Sequence, residues 1–449
     1  MSLTGKHIAI LGAGRSGRAA AALAMREGAT VSVWDTAGPD AFGGMPEGVA
    51  VHPNATEEQG GKVFSDILVV SPGIDTYGSY VAEFSENTGE VIGEVELAAR
   101  FYRGRIVGIT GTNGKTTTTE LVVRILSHAE LGGTACGNYG TPFAEVVLQA
   151  NQPAVVSLEL SSFQLETIRT LHPVVAVWLN FAPDHMDRYP TVEAYRAAKL
   201  RIFENQTPED TAVIRLGEDL PVLSARVVTF STTDASADWF SEGHTILHGG
   251  ETWLHMDRDT SLRGLHNAEN TMAALAACDA LGVPAPVMRE ALQGYAPPPH
   301  RCELIRTLDG VEYLNDSKAT NLHALESALR SQTRPVILIA GGKDAERSAG
   351  IGRVEDDQAA ERAGIEVIVF GSGGARQVPE AFDAGEAHGQ LVRFCSMFAP
   401  IAVPTLPSVE MSRSTRRQPR PWRPWPCCCT YDGRSRASSA RWPGPNALR

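Results

Sequence analysis

Short apolar runs, each closed by a glycine or a polar turn and followed by an Ala-rich amphipathic stretch, set the rhythm of this chain. Residues 8–11 and 30–34 read as strands around a helix over 15–27, and residues 66–70 add a strand that ends in the turn Ser71-Pro72-Gly73. The apolar run 105–109 meets a glycine turn and then a helix from Thr117 onward. Further strands fall at 154–160 and 174–179, with helical stretches through 195–203 and 268–281. Beyond Pro297-Pro298-Pro299, strands are expected at 311–314, 336–339 and 365–370. Strands alternating with helices predict an α/β chain with parallel sheets covered by helices. The breaks place three domains at 1–95, 96–299 and 300–410, with linkers near 95 and 299 that permit closure.

A length of 449 residues suits about three domains of ~150 residues each. The net charge of −12 argues against a general nucleic-acid binder. No run of 18 apolar residues offers a membrane span, and the N-terminus runs into a strand without signal-peptide design, so a cytoplasmic protein is expected. Cys136, Cys278, Cys302 and Cys395 stand apart without metal spacing and read as reduced thiols. Residues 411–449 differ from the rest. They hold nine arginines, no lysine and one acid (Asp432), together with six prolines, three tryptophans and the triplet Cys427-Cys428-Cys429. A basic interaction tail is one reading. A stretch of a GC-rich gene read out of frame is the other, and the composition favours it.

Candidate chemistry clusters at strand ends. Gly111-Thr112-Asn113-Gly114-Lys115-Thr116-Thr117 follows the 105–109 strand and opens a helix. Glycines there let backbone N–H groups converge on phosphate, Lys115 can reach the outer phosphates, and the Thr116 hydroxyl can ligate magnesium. The loop is shorter than the usual phosphate-loop pattern, which has glycine where Ile109 stands. Gly12-Ala13-Gly14-Arg15-Ser16-Gly17 follows the first strand, and Asp35 ends the second. That is a dinucleotide fingerprint, yet the same loop holds any pyrophosphate, and close helix–strand packing alone also needs such glycines.

Glu159, at the end of an apolar strand and ahead of Ser161 and Gln164, is a candidate magnesium ligand or a solvated strand-end acid. The segment 180–189 packs Asp184, His185 and Asp187 into four positions after the next strand, which favours a ligand or metal contact. Lys199 lies on the following helix and reads from residue type alone as a surface lysine. Asn267 and Asn270 share a helix face, with capping by Asn267 the plainer explanation. Arg301 suits a bidentate phosphate contact, and the cluster Asp316-Ser317-Lys318-Ala319-Thr320-Asn321 suits a ribose or a carboxylate, or a plain turn.

These motifs, in this order over roughly residues 5–395, resemble the Mur ligases of bacterial cell-wall synthesis. The string 316–321 and the turn Ser71-Pro72-Gly73-Ile74 resemble the D-glutamate-adding branch. The resemblance implies an ATP-dependent amide ligase. Its N-terminal domain would be Rossmann-like, its central domain of the P-loop ATPase type and its C-terminal domain Rossmann-like. Its substrates would be UDP-N-acetylmuramoyl-L-alanine, D-glutamate and ATP, it would act as a monomer, and it would use magnesium. Gly14, Arg15, Ser16, Asp35, Ser71, Pro72 and Gly73 would lie at the UDP group, which replaces the NAD reading. Asn138, Ser161 and Gln164 would contact substrate. Gly111 to Thr117, Asn267, Asn270, Arg301 and Asp316 would bind ATP. Thr116 and Glu159 would serve one magnesium ion, and His185 with Lys199 as a carbamate the other. Lys115, His185, Lys199 and Lys318 would be catalytic, with Lys318 and Thr320 near the incoming D-glutamate.

Two departures stand out. Gly341-Gly342-Lys343-Asp344 is followed by Ala345 where the family has lysine, so Lys343 is a candidate substitute. The family's closing Ser-Pro-Ala-Cys-like segment is absent after about Pro400, which implies a ligation-impaired, nucleotide-binding form as the alternative to an active enzyme. Another ligase of the same superfamily is a further alternative.

Overall fold

The computed structural model describes residues 2–296, 300, 302–308, 310–317 and 329, and the strand backbone at 336–342, 365–371, 374–375 and 392–398. The triple proline, Arg301, the segment 318–328 with Lys318 and Thr320, the turn residues Lys343 to Ala345 and the tail lie outside the described residues.

Three sheets follow one another along the chain. The first holds β1 (His7–Leu11), β2 (Thr30–Trp34), β3 (Ala50–His52), β4 (Ser65–Val70) and β5 (Thr88–Gly93), all parallel, in the order β3-β2-β1-β4-β5. The second holds β6 (Arg105–Thr110), β7 (Gly133–Gly137), β8 (Val155–Glu159), β9 (Val175–Trp178), β10 (Thr211–Arg215), β11 (Arg226–Ser231), β12 (Trp239–Glu242), β13 (Thr245–His248) and β14 (Glu251–His255). Its order is β14-β13-β12-β11-β10-β9-β6-β8-β7, parallel except for the pairings β14-β13 and β13-β12, which form an antiparallel meander. The third holds β15 (Glu303–Leu308), β16 (Val311–Asn315), β17 (Val336–Gly342), β18 (Ile365–Gly371), β19 (Gly374–Ala375) and β20 (Val392–Phe398), in the order β15-β16-β20-β17-β18-β19.

The strand positions follow the apolar runs because a strand of a parallel sheet is covered on both faces. Ile106, Val107 and Ile109 on β6 and Val175, Ala176, Val177 and Trp178 on β9 are all buried. The meander β12–β14 was missed, since its strands are only four or five residues long and carry mixed polarity. The helix Lys115–His128 begins two residues before the expected Thr117, because Gly114 takes its N-cap position with φ +84°.

The expected pliable linker near residue 95 is instead a buried helix, Glu94–Ala99. Glu96, fully buried, accepts the N–H groups of Arg169, Thr170 and Leu171 and pairs with Arg100 at 2.9 Å. One apolar core then runs through both sheets, from Ile8, Val33 and Ile92 to Leu97, Phe143, Val156 and Trp178. This packing is that of a joint rather than of a free hinge.

Candidate active site

Both parallel sheets place their polar motifs at the carboxyl ends of strands, beside the point where strand order reverses. In the first sheet that point lies between β1 and β4. The Gly12 loop follows β1 and the Ser71 turn follows β4, and Ser71 N–H donates to the Leu11 carbonyl at 3.0 Å. The two segments touch so closely that a Cβ on Gly12, whose φ is +101°, would stand 2.6 Å from Ser71 Oγ. Gly14, at the N-cap of the helix Arg15–Arg26, has open space before it. Asp35 turns inward, its Oδ2 accepting Ala13 N–H at 2.7 Å and its Oδ1 accepting Ala37 N–H at 2.8 Å, so it braces the loop. Arg15 reaches across to the second sheet, donating to the Gly140 carbonyl at 3.0 Å.

In the second sheet the reversal lies at β6. Glu159 on β8 is level with Ile109 on β6 and with Gly137 on β7, and Thr110 is level with Trp178 on β9. That register brings the loop 111–114, Glu159 to Gln164 and the segment 180–189 to one edge. The phosphate loop is held from below by the 180–189 segment. Asn113 N–H donates to Asn180 Oδ1 at 2.9 Å, Asn180 Nδ2 donates back to the Asn113 carbonyl, and Thr112 and Ala182 exchange hydrogen bonds at 3.0 Å. Lys115 folds over its own loop, its Nζ donating to the carbonyls of Gly111 at 2.8 Å and Thr112 at 2.9 Å.

Glu159 is 2 % exposed, which removes the reading as a solvated strand-end acid. Its Oε1 accepts Asn138 Nδ2 at 2.7 Å, while its buried Oε2 has no hydrogen-bond partner among the described residues. A buried carboxylate oxygen left in that state is costly unless a cation or donor is brought to it. Among the described residues no three His, Cys, Asp or Glu side chains gather into a ready-made metal cluster. Magnesium commonly takes one or two protein carboxylates plus phosphate oxygens and water, so a single aimed carboxylate fits that ion.

Lys199 is also 2 % exposed, so the surface reading fails. The helix Val192–Leu200 carries it inward, and its Nζ donates to the Gly111 carbonyl at 2.9 Å and lies 4.8 Å from the centre of the Tyr195 ring. Burial, and next the Lys115 ammonium, push the Lys199 amine well below the usual lysine range, against weaker support from Asp184 and Glu159. A neutral amine is the form that adds CO₂. His185 occupies the left-handed region (φ +57°) and packs between the rings of Phe163 and Tyr195. Burial lowers its pKa despite Asp184, which keeps the imidazole neutral and able to bind a metal.

Asn267 lies inside the helix Leu265–Ala280, whose N-cap is Gly264, so it is not the cap. Its Nδ2 donates to the Arg263 carbonyl and its Oδ1 accepts Asn270 Nδ2 at 3.3 Å. Asn270 in turn faces the phosphate loop, where a Cβ on Gly114 would meet its Oδ1 at 2.1 Å. Ser161 and Gln164 form a capping box, Gln164 N–H donating to Ser161 Oγ at 3.2 Å and Ser161 N–H to Gln164 Oε1 at 3.0 Å. Asp316, directly after β16 of the third sheet, accepts Cys302 N–H at 3.0 Å. Sequence reading passed over Glu166, whose side chain is buried and gathers Arg188, Tyr189 and Thr76; no local pattern marks it, because its partners are 22 to 90 positions away.

Known proteins resemble this chain over most of its length. The Mur ligase middle domain matches residues 109–278. The chain is 36% identical over 402 residues to the UDP-N-acetylmuramoylalanine--D-glutamate ligase of Desulfitobacterium hafniense, covering 86% of this chain and 87% of that one. It is 39% identical over 356 residues to the ligase of the same name from Geobacter metallireducens, covering 77% and 78%. Among solved structures it is similar in fold to the UDP-N-acetylmuramate-alanine ligase of Thermotoga maritima, with a TM-score of 0.52 at 17% identity over 88% of this chain and 96% of that one. With a glycine-rich loop, an inward carboxylate and a buried lysine at one sheet edge, and with relatives this similar over most of their length, the chain belongs to the Mur ligase family, in the branch of the UDP-N-acetylmuramoylalanine--D-glutamate ligases.

Proposed function

We propose that the chain joins D-glutamate to UDP-N-acetylmuramoyl-L-alanine through an amide bond at the expense of ATP, as a cytoplasmic monomer in peptidoglycan precursor synthesis. One observation carries the reading: Glu159 Oε2, buried and without a partner among the described residues, sits at the same sheet edge as the phosphate loop that the Lys199 amine touches. The names of the relatives supply the substrates. No helix among the described residues is long and apolar enough to cross a membrane.

In this reading the backbone N–H groups from Gly111 to Thr117 and the N-terminus of the 115–128 helix cradle the ATP phosphates, and Lys115 swings from its loop carbonyls to the γ-phosphoryl group. Asn267 and Asn270 line the nucleotide side, with Arg301 and Asp316 supplied from the third domain. Thr116 and Glu159 hold one magnesium ion, and His185 and a carbamate on Lys199 hold a second. Magnesium supplies charge neutralisation at the phosphoryl oxygens. Gly14, Arg15, Ser16, Asp35, Ser71, Pro72 and Gly73 receive the UDP group, while Asn138, Ser161 and Gln164 line the path of the acceptor carboxylate.

A carboxylate is a poor acyl donor because oxide is its leaving group. Transfer of the γ-phosphoryl group to it gives an acyl phosphate and ADP. The D-glutamate amine then attacks the acyl carbon, held near Lys318 and Thr320, and the tetrahedral intermediate collapses with loss of phosphate and a proton. The test is phosphate release from ATP with UDP-N-acetylmuramoyl-L-alanine, with and without D-glutamate, and product analysis by mass. Release that needs both substrates and yields the dipeptide product is expected. A chain that binds neither ATP nor the UDP-linked substrate overturns the reading.

A further inference from the structure

Arg188 stands three residues after His185 and is used by nothing in the chemistry above, yet it is the most heavily engaged side chain of that loop. It is 12 % exposed at its side chain. Its Nη1 donates to the Pro72 carbonyl at 3.2 Å, and its Nη2 donates to Glu166 at 2.9 Å and to Thr76 Oγ1 at 3.4 Å. Its Nε faces Asp75 at 3.7 Å, and its guanidinium lies 3.9 Å above the Phe163 ring. Pro72, Asp75 and Thr76 belong to the segment after β4 of the first sheet, whereas Phe163 and Glu166 follow β8 and Arg188 follows β9 of the second. Glu166, 2 % exposed at its side chain, closes the cluster by accepting the hydroxyls of Thr76 and Tyr189 as well. A planar five-donor fork held by cation–π contact from beneath is suited to fixing two backbones at one distance, and lysine cannot reproduce it.

We propose that Arg188 is a positioning residue that fixes the Ser71–Gly73 turn against the loop carrying His185, and so sets the seat of the UDP-linked substrate relative to the phosphoryl-transfer centre. This rests on the placement of that substrate at the Ser71 turn. The opposite end of the 180–189 segment is anchored independently, through Asn180 and Ala182 to the phosphate loop. The two ends therefore respond differently when Arg188 is changed.

The test is calorimetric titration of the full chain, as wild type, Arg188→Lys, Arg188→Gln and Thr76→Val, with UDP-N-acetylmuramoyl-L-alanine and separately with Mg–ADP. Weakening of the UDP-linked ligand by about tenfold or more in both Arg188 variants, with Mg–ADP affinity held within about twofold, is expected, since groups in one network couple strongly. Thr76→Val, which spares Arg188, should move the UDP-linked ligand in the same direction, and its combination with Arg188→Gln should cost less than the sum. Unchanged affinity for the UDP-linked ligand in Arg188→Lys and Arg188→Gln, or equal loss of both ligands, overturns the proposal. Failure of the wild type itself to bind the UDP-linked ligand would instead sink the substrate assignment on which it rests.

Discussion

The Nζ of Lys199 donates to the Gly111 carbonyl across 2.9 Å, which fastens the last turn of the 192–200 helix to the first glycine of the phosphate loop. A buried amine beside Lys115 is disfavoured as an ammonium, so its pKa in the folded chain lies well below the usual 10.5. Between those two values the unfolded chain binds the extra proton, so stability rises with pH across that window. Lys199→Gln should flatten this rise in chemical denaturation followed from pH 7 to 10. The same change removes the amine proposed to carry a carbamate, and phosphate release should fall by roughly 10²-fold or more, the scale of losing one electrostatic group at a reacting centre. Equal pH slopes in variant and wild type would sink the burial argument.

Gly114 and Gly14 make a matched pair. Gly114 holds φ +84°, and an added Cβ would press to 2.1 Å from Asn270 Oδ1, whereas Gly14 has ordinary backbone angles and open space. Gly114→Ala should lose roughly 1–3 kcal/mol of stability from the left-handed backbone and the clash, and should abolish saturable ATP binding. Gly14→Ala should melt within a degree or two of wild type but weaken the UDP-linked substrate, because its methyl group fills the approach to the helix N-terminus. Thermal melts and two titrations check both. A destabilised Gly14→Ala would contradict the open geometry.

Asn138 orients Glu159 by holding one of its two oxygens at 2.7 Å. Removing such an orienting partner commonly costs 10–100-fold in metal affinity. Asn138→Ala should therefore raise the magnesium concentration for half-maximal phosphate release by about 10–100-fold, and excess magnesium should restore much of the rate. Glu159→Gln keeps the acceptor for Asn138 but removes the charge, and excess magnesium should not rescue it. Rescue of both variants alike would argue against Glu159 as a ligand.

Much of the frame was legible because parallel strands are buried on both faces and announce themselves as apolar runs. β1, β2, β4, β6, β8 and β9 all fall within a residue or two of where hydrophobicity placed them. Positions of glycine-dependent turns were legible for the same kind of reason, since Gly12, Gly111 and Gly114 have positive φ values. Burial of polar residues was not. Lys199 reads as a surface lysine on its own helix and becomes buried only because β6 and β9 bring Gly111 above it. Arg188 and Glu166 likewise acquire meaning through Pro72 and Thr76, about a hundred residues earlier in the chain. The joint at residues 94–99 was misread as a linker, because a helix with two glutamates gives no hint that both are buried.

One of those glutamates yields a pH-dependent prediction. Glu94, 3 % exposed, accepts the N–H of Ala144 at 2.6 Å and so caps the short helix Phe143–Val147 across the joint. Burial raises its pKa from 4.5 to about 7, with the Ala144 N–H bond opposing the rise and Glu145 adding to it. The folded chain then holds a proton that the unfolded chain has released between pH 4.5 and 7. The stability from this group is complete below pH 4.5 and is lost as pH climbs through 7. A carboxamide keeps the acceptor for Ala144 and carries no charge to desolvate. Glu94→Gln should thus match the wild type near pH 5 and exceed it at pH 8 by on the order of 1–3 kcal/mol, given 1.36 kcal/mol per pKa unit. Urea midpoints at the two pH values decide the matter: a Glu94→Gln chain that is less stable at pH 8 would mean that the carboxylate is ionised at neutral pH and that the helix cap depends on its charge.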